Sequence, residues 1–262
     1  MLERFLDPAL VATLQREVED CVGAPATATC ERPHNRLLPL CWSDRVVGLV
    51  LESAARRRVI AAVTAAEDLR WISGYVSTKE PLMPALCWHQ DWWCWRHRVS
   101  LRAAPVQVAV LCYLTDTTAA NGALRVLPGS HRASVPLHAI LRDCDTADRS
   151  LPLDHAALSD QVGQVTIEAR AGDAVVLDYR LLHGTHANRS DRRRDCVLLS
   201  FTPAWQALPV DIRAHLIRHP AQPGPGELPA GGWWAELLPR FTGRPADLAL
   251  SRDAPGHFVV AG

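Results

Sequence analysis

The 262-residue chain is 48% hydrophobic and 21% charged, with 28 basic and 28 acidic side chains and a formal net charge of zero. That composition excludes a disordered chain and argues against a general polyanion binder, which needs a basic surface. No long uninterrupted apolar run exists and no charged-then-apolar leader opens the chain, so a soluble cytoplasmic protein that binds neither membrane nor nucleic acid is expected.

Taken in order, Asp7-Pro8 reads as a helix cap followed by proline at the first helical position, and "ALVATLQREVEDCV" continues at helical spacing. "SDRVVGLVLESAARRRVIAAVTAAE" reads as one or two more helices, capped by Ser43 or Asp44. Residues 1–68 are thus expected to be mainly helical. After residue 68 the texture turns to short β-rich runs. "LRWISGYVS" and "PVQVAVLCYLTD" read as strands, the second buried on both faces. "ALRVLPGSH", "QVTIEA", "AVVLDYRLLHG" and "RDCVLLSFTPAW" follow, separated by turn sequences. Residues 131–162 form a polar insertion. The tail, 206–262, is rich in proline and glycine and carries Trp233 and Trp234. Insertion and tail are both candidate lids. Helices followed by regularly spaced strands predict one domain with a β-barrel or jelly-roll core over 69–205 and helices packed outside. The cysteines show no close pairing and are expected as reduced thiols.

The stretch "CWHQDWWCW" (87–95) concentrates four of the nine tryptophans around one His and one Asp. In an extended segment, residues two apart share a side, so His89 and Asp91 could grip one metal ion. Alone, they would equally suit a hydrogen-bonded pair. Far downstream, an apolar strand runs into His183, with Val175, Leu177, Tyr179 and Leu181 on its face if the strand is unbroken. Arg194 opens the next strand and shares a side with Cys196, Leu198 and Ser200; taken alone it reads as a solvated charge in an Arg-rich turn. Two His and one carboxylate suit non-haem Fe(II) and leave positions open for a bidentate 2-oxo acid and O2. The far carboxylate of such a cosubstrate wants a permanent, bidentate cation, which is arginine.

His-x-Asp, then "NGALRVLPGSHR", then Gly172-Asp173 ahead of the His in "LLHGTHANRS", then Arg194, resembles the phytanoyl-CoA dioxygenase family across residues 70–203. The resemblance implies a double-stranded β-helix (a cupin-like jelly roll) and an Fe(II)/2-oxoglutarate-dependent dioxygenase. It implies His89, Asp91 and His183 as catalytic iron ligands and Arg194 on the C5 carboxylate of 2-oxoglutarate. His186 is the rival third ligand; lying beyond the glycine turn, it reads instead as supporting the site or facing substrate. Arg193 rivals Arg194 but has the wrong strand parity. His97 and His131 are the other nearby imidazoles, and His131 after Pro-Gly-Ser reads as a turn residue. Gln107 either donates to the cosubstrate or is a satisfied polar residue in the lumen.

Asp91 stands where halogenating relatives carry a small residue, so oxygen insertion is favoured over halogenation. The implied reaction hydroxylates a small molecule while 2-oxoglutarate and O2 become succinate and CO2; desaturation, epimerisation or cyclisation would use the same ligands. The substrate is expected to be a secondary metabolite or amino-acid derivative, since no basic patch for a CoA ester is evident. Strand parity puts Trp93 and Trp95 on the metal side and Trp88 and Trp92 opposite. The competing classes are a cupin-like metal enzyme without a 2-oxo acid and a non-catalytic binding barrel; Arg194 beside an intact triad favours the dioxygenase.

Overall fold

The Asp7 carboxylate accepts the Leu10 N–H at 2.9 Å, and Pro8 begins the first helix as the sequence predicts. The structure, a computed structural model, describes residues 1–24, 30–32, 34–142, 151–224, 226–227 and 231–260. In chain order the elements are α1 (Pro8–Gly23), β1 (Cys30–Arg32), β2 (Asn35–Leu40), α2 (Arg45–Leu51), α3 (Ala54–Val63), β3 (Arg70–Lys79), β4 (Leu86–His89), β5 (Val108–Tyr113) and β6 (Leu124–Val126). They continue with α4 (Pro136–Arg142), β7 (Val165–Ile167), β8 (Ala174–Asp178), β9 (His183–Thr185), β10 (Arg194–Thr202), α5 (Val210–Leu216) and α6 (Trp234–Leu237).

Among the described residues the strands form two antiparallel sheets, ordered β1-β2-β3-β10-β5-β8 and β4-β9-β6-β7. The two sheets with helices outside are the jelly roll expected. Helices α1, α2 and α3 cover the outer face of the larger sheet: Val11, Leu14, Val47, Val50 and Ile60 pack with Trp71, Val76, Val110 and Val197. The inner face packs toward the smaller sheet through Ala109, Leu111, Tyr113, Val175 and Leu177. β5 therefore sends alternate residues into two cores, which is why its sequence is continuously apolar. Among the described residues no helix is long and apolar enough to cross a membrane.

Two sequence expectations are corrected. Residues 30–32 and 35–40 lie in the part read as mainly helical, yet they form β1 and β2 and extend the larger sheet. The run read as one strand into His183 is two: β8 ends at Asp178 in the larger sheet and β9 starts at His183 in the smaller one. Buried Arg180 occupies the corner between them, donating to the Asp178 carboxylate at 2.6 Å and to the carbonyls of Ser100 and Arg102 at 2.9 and 2.6 Å. Hydrogen-bonding demand, not hydrophobic periodicity, sets that break.

The described part of the 131–162 insertion, which excludes 143–150, lines none of the central cavity. It packs beneath the smaller sheet. The Trp88 backbone N–H donates to the Ala157 carbonyl at 2.8 Å, and its indole N–H to the Ser159 carbonyl at 2.8 Å. Trp233 and Trp234 stack on each other beside Trp42 and Trp71, on the helical side.

Candidate metal centre

β4 and β9 pair antiparallel with His89 directly opposite His183, and their ring centroids lie 4.2 Å apart. Gly184 permits the close approach: a β-carbon there would stand 2.8 Å from the Leu86 carbonyl oxygen. Each histidine Nδ1 meets the carbonyl two residues earlier, Cys87 at 2.8 Å for His89 and Leu181 at 3.0 Å for His183. A carbonyl only accepts, so each Nδ1 carries the proton and each Nε2 presents its lone pair. Those Nε2 atoms lie 3.8 and 3.5 Å from the two Asp91 carboxylate oxygens. The three donor atoms lie within 4.8 Å of one another. Gln90, between the ligands, donates its amide N–H to the Arg180 carbonyl and ties this loop to the corner.

The cluster opens on a cavity of about 410 Å³ between the sheets, lined also by Arg194. Arg194 is 2% exposed. Its Nη2 donates to Asn35 Oδ1 at 3.4 Å, Asn35 Nδ2 donates to Ser77 Oγ at 3.0 Å, and Arg194 Nε is buried with no partner among the described residues. Lys79, opposite Arg194 across the strands, donates to the carbonyls of His34 and Pro84 at 3.0 and 2.6 Å. Burial, with Arg194 and Arg125 nearby, pushes its ammonium pKa down to about 7. Burial also raises the Tyr113 pKa, so that phenol stays a donor in the cavity wall. This inner end thus offers one permanent cation, Arg194, with an orphaned guanidinium N–H and the Tyr113 phenol beside it in the cavity wall, and fits the carboxylate of a 2-oxo acid. The His–Asp–His donor set, with open sides, fits Fe(II).

The other sequence candidates separate clearly. Gln107 lines the cavity, but its Oε1 accepts from Trp93 Nε1 at 3.1 Å and its Nε2 donates to Ser200 at 2.6 Å. Trp93 lines the cavity as expected. Trp95 does not: β4 ends at His89, the alternation stops there, and the ring packs 4.9 Å from Phe258. Trp88 and Trp92 are fully buried elsewhere, the latter donating to Ser100 at 2.8 Å. His186 lies outside the donor cluster and the cavity wall, bonded to Thr166 Oγ1 at 2.8 Å. Arg193 pairs with Asp195 and Glu19. His97 caps the turn at 98–101 and faces Asp211 at 3.3 Å. His131 is half-buried beside Arg132.

Sequence reasoning missed Asn35 and Ser77, which sit in the unforeseen hairpin and its neighbour strand. It also missed His215, Arg218, His219, Asp247 and Arg252, which the tail brings to the outer end of the cavity. Individually they carry no motif; only the tail's Pro/Gly-rich texture hinted at a cover.

The decisive comparison is a match of the phytanoyl-CoA dioxygenase (PhyH) family to residues 1–196. The chain belongs to the phytanoyl-CoA dioxygenase family. It is an Fe(II)/2-oxoglutarate-dependent dioxygenase, acting with O2 on a small molecule. A relative within curated proteins, the ectoine dioxygenase of Nocardia farcinica, is 26% identical over 228 residues, covering 79% of this chain and 75% of that one. The L-proline trans-4-hydroxylase of Streptomyces griseoviridis is 30% identical over 129 residues, 43% of this chain and 46% of that one. The crystal structure of HygX from Streptomyces hygroscopicus, with nickel, 2-oxoglutarate and hygromycin B bound, aligns with a TM-score of 0.56 at 19% identity. That alignment covers 77% of this chain and 81% of HygX, and the likeness is one of fold. The family match ends within β10, before α5 and the rest of the tail.

Proposed function

We propose that this PhyH-family dioxygenase hydroxylates a small molecule, a secondary metabolite or amino-acid derivative, while converting 2-oxoglutarate and O2 to succinate and CO2. One observation carries the reading: the His89–Asp91–His183 donor set and the buried guanidinium of Arg194 line a single cavity. In this reading His89 and His183 hold the iron through Nε2, and Asp91 supplies the carboxylate. Arg194 holds the C5 carboxylate of 2-oxoglutarate and is oriented by Asn35. Bound iron and 2-oxoglutarate together supply the activation of O2 and the oxidising power. The chain binds, orients and shields: Trp93, Leu111, Tyr179 and Leu198 line the walls and exclude water from the reacting centre. The cavity lies in the roughly 300–1,000 Å³ range of small-molecule sites and must hold cosubstrate and substrate together, which favours a compact substrate. Asp91 keeps the carboxylate that halogenation would displace, which favours oxygen insertion.

The test is spectroscopic. Purified without oxygen, the protein should develop a visible charge-transfer band when Fe(II) and then 2-oxoglutarate are added. His183→Ala should lose it, with Fe(II) affinity down by more than about a hundredfold, since even supporting residues of metal sites cost about 10–100-fold. His186→Ala should keep the band. The opposite pattern, or no band in the wild type, overturns the assignment.

A further inference from the structure

The outer end of the cavity is built by residues within 215–220 and 247–252, beyond residue 196 where the family match stops. This segment is fastened to the metal loop itself. The Ser251 N–H donates to the Trp93 carbonyl at 2.8 Å, and the Trp95 N–H to the Ser251 carbonyl at 2.8 Å. The Arg96 N–H adds a bond to Ser251 Oγ at 3.0 Å. On the other side the Ala246 N–H reaches the Ala214 carbonyl at 3.1 Å, and the Leu248 N–H reaches His215 Nδ1 at 3.1 Å. Residues 246–251 therefore form a strap between α5 and the Asp91–Trp95 loop. Leu250 and Arg252 flank the pinned Ser251, and both line the cavity.

The chemistry of this end is one-sided. His215 Nδ1 accepts from Leu248, and His219 Nδ1 accepts from the Ala221 N–H at 3.1 Å. In both rings the proton therefore sits on Nε2, a hydrogen-bond donor. Burial lowers both pKa values, His219 to about 4, so both are neutral near pH 7. Of the lining carboxylates, Asp91 belongs to the His–Asp–His cluster and Asp247 is bonded to Arg218 at 2.8 Å. Arg252, exposed at the cavity mouth, has no ion pair among the described residues, so one cation and two neutral donors line this end without a carboxylate partner from the protein. Beside them stand apolar surfaces: Trp93, its ring tilted 36° to that of His215 with centroids 4.5 Å apart, with Leu216 and the 56%-exposed Leu250.

Resting on the dioxygenase reading above, we infer that the substrate carries a carboxylate that docks on Arg252, with His215 and His219 as neutral donors and its apolar body on Trp93, Leu216 and Leu250. Arg252 and the two histidines then determine specificity; they do not take part in oxidation. A cationic or purely neutral substrate would leave the arginine to solvent and gain no charge-assisted bond from it.

The experiment uses the full-length protein loaded anaerobically with Fe(II) and saturating 2-oxoglutarate, so that Arg194 is already occupied. L-Proline, L-valine and cyclohexanecarboxylic acid are each titrated against their primary amides, and the perturbation of the charge-transfer band is followed. At least one acid should perturb the band at a concentration at least about tenfold below its amide, the scale of one charge-assisted hydrogen bond. Arg252→Gln should erase the difference between acid and amide, and Arg252→Glu should reverse it, while Fe(II) and 2-oxoglutarate affinities stay unchanged. Equal response to acids and amides, no response to any acid up to millimolar levels, or intact discrimination in Arg252→Gln overturns the inference. Failure of the wild type to form the band at all would instead sink the dioxygenase assignment, so the two failures are distinct.

Discussion

Asn35 shows how a cosubstrate site depends on a residue with no chemistry of its own. It is 9% exposed, accepts from Arg194 at 3.4 Å and donates to Ser77 at 3.0 Å, so it fixes where the guanidinium points. Asn35→Ala should raise the 2-oxoglutarate Kd about tenfold, within the range for a hydrogen bond to a charged group. Fe(II) affinity should not move. Asn35→Asp should cost more, because a carboxylate beside Arg194 competes with the C5 carboxylate for the same cation. Band titrations of the three proteins decide it; equal 2-oxoglutarate affinities would remove Asn35 from the site. His89, Asp91, His183 and Arg194 are legible in the sequence because their residue types and chain order together match one chemistry. Asn35 is not, since its contact spans 159 positions and depends on a strand the sequence did not announce. Trp95 was misplaced for a related reason. Alternation holds only while a strand continues, and β4 stops at His89.

Most strands were readable from apolar runs between turn signals, and β5 even from its two-sided burial. The corner at Tyr179–Leu182 was not, because apolar residues continue through it and mask the change of sheet. What turns the chain is Arg180, 1% exposed and bonded to Asp178 and to backbone carbonyls of 100, 102 and 104. Arg180→Ala would leave the Asp178 carboxylate with only the backbone N–H of residue 180 and strip the guanidinium donors from three carbonyls. The expected loss of stability is about 3–5 kcal/mol, as for a broken buried ion pair. The same variant should weaken Fe(II) binding, since Gln90 in the metal loop donates to the Arg180 carbonyl and His183 starts β9 just beyond the corner. Urea unfolding and iron titration on one preparation test both halves. A stable variant with normal iron affinity would mean that the corner is held by packing alone.

Across the whole molecule, the insertion and the tail meet through His138 on α4. Its ring lies edge-on to Phe258 at 5.2 Å, Phe258 packs on Trp95 at 4.9 Å, and Trp95 is hydrogen-bonded to the strap that covers the cavity. His138 Nδ1 accepts the Val135 N–H at 3.0 Å, while Nε2 is buried without a partner among the described residues. Burial therefore pushes its pKa down to about 4, from an ordinary value of 6.5. The sign follows from proton counting. Between those two values the unfolded chain takes up a proton that the folded chain refuses, so stability falls as pH drops through the window and is unaffected above it. His219, also lowered to about 4, acts in the same direction. Thermal unfolding should show the wild type losing on the order of 1–3 kcal/mol per such histidine between about pH 7 and pH 4.5. His138→Asn keeps an acceptor near the Val135 N–H but cannot titrate there. It should be somewhat less stable near neutrality and lose less on acidification. Parallel pH slopes for the two proteins would show that this junction does not sense the proton, and that acid acts elsewhere in the fold.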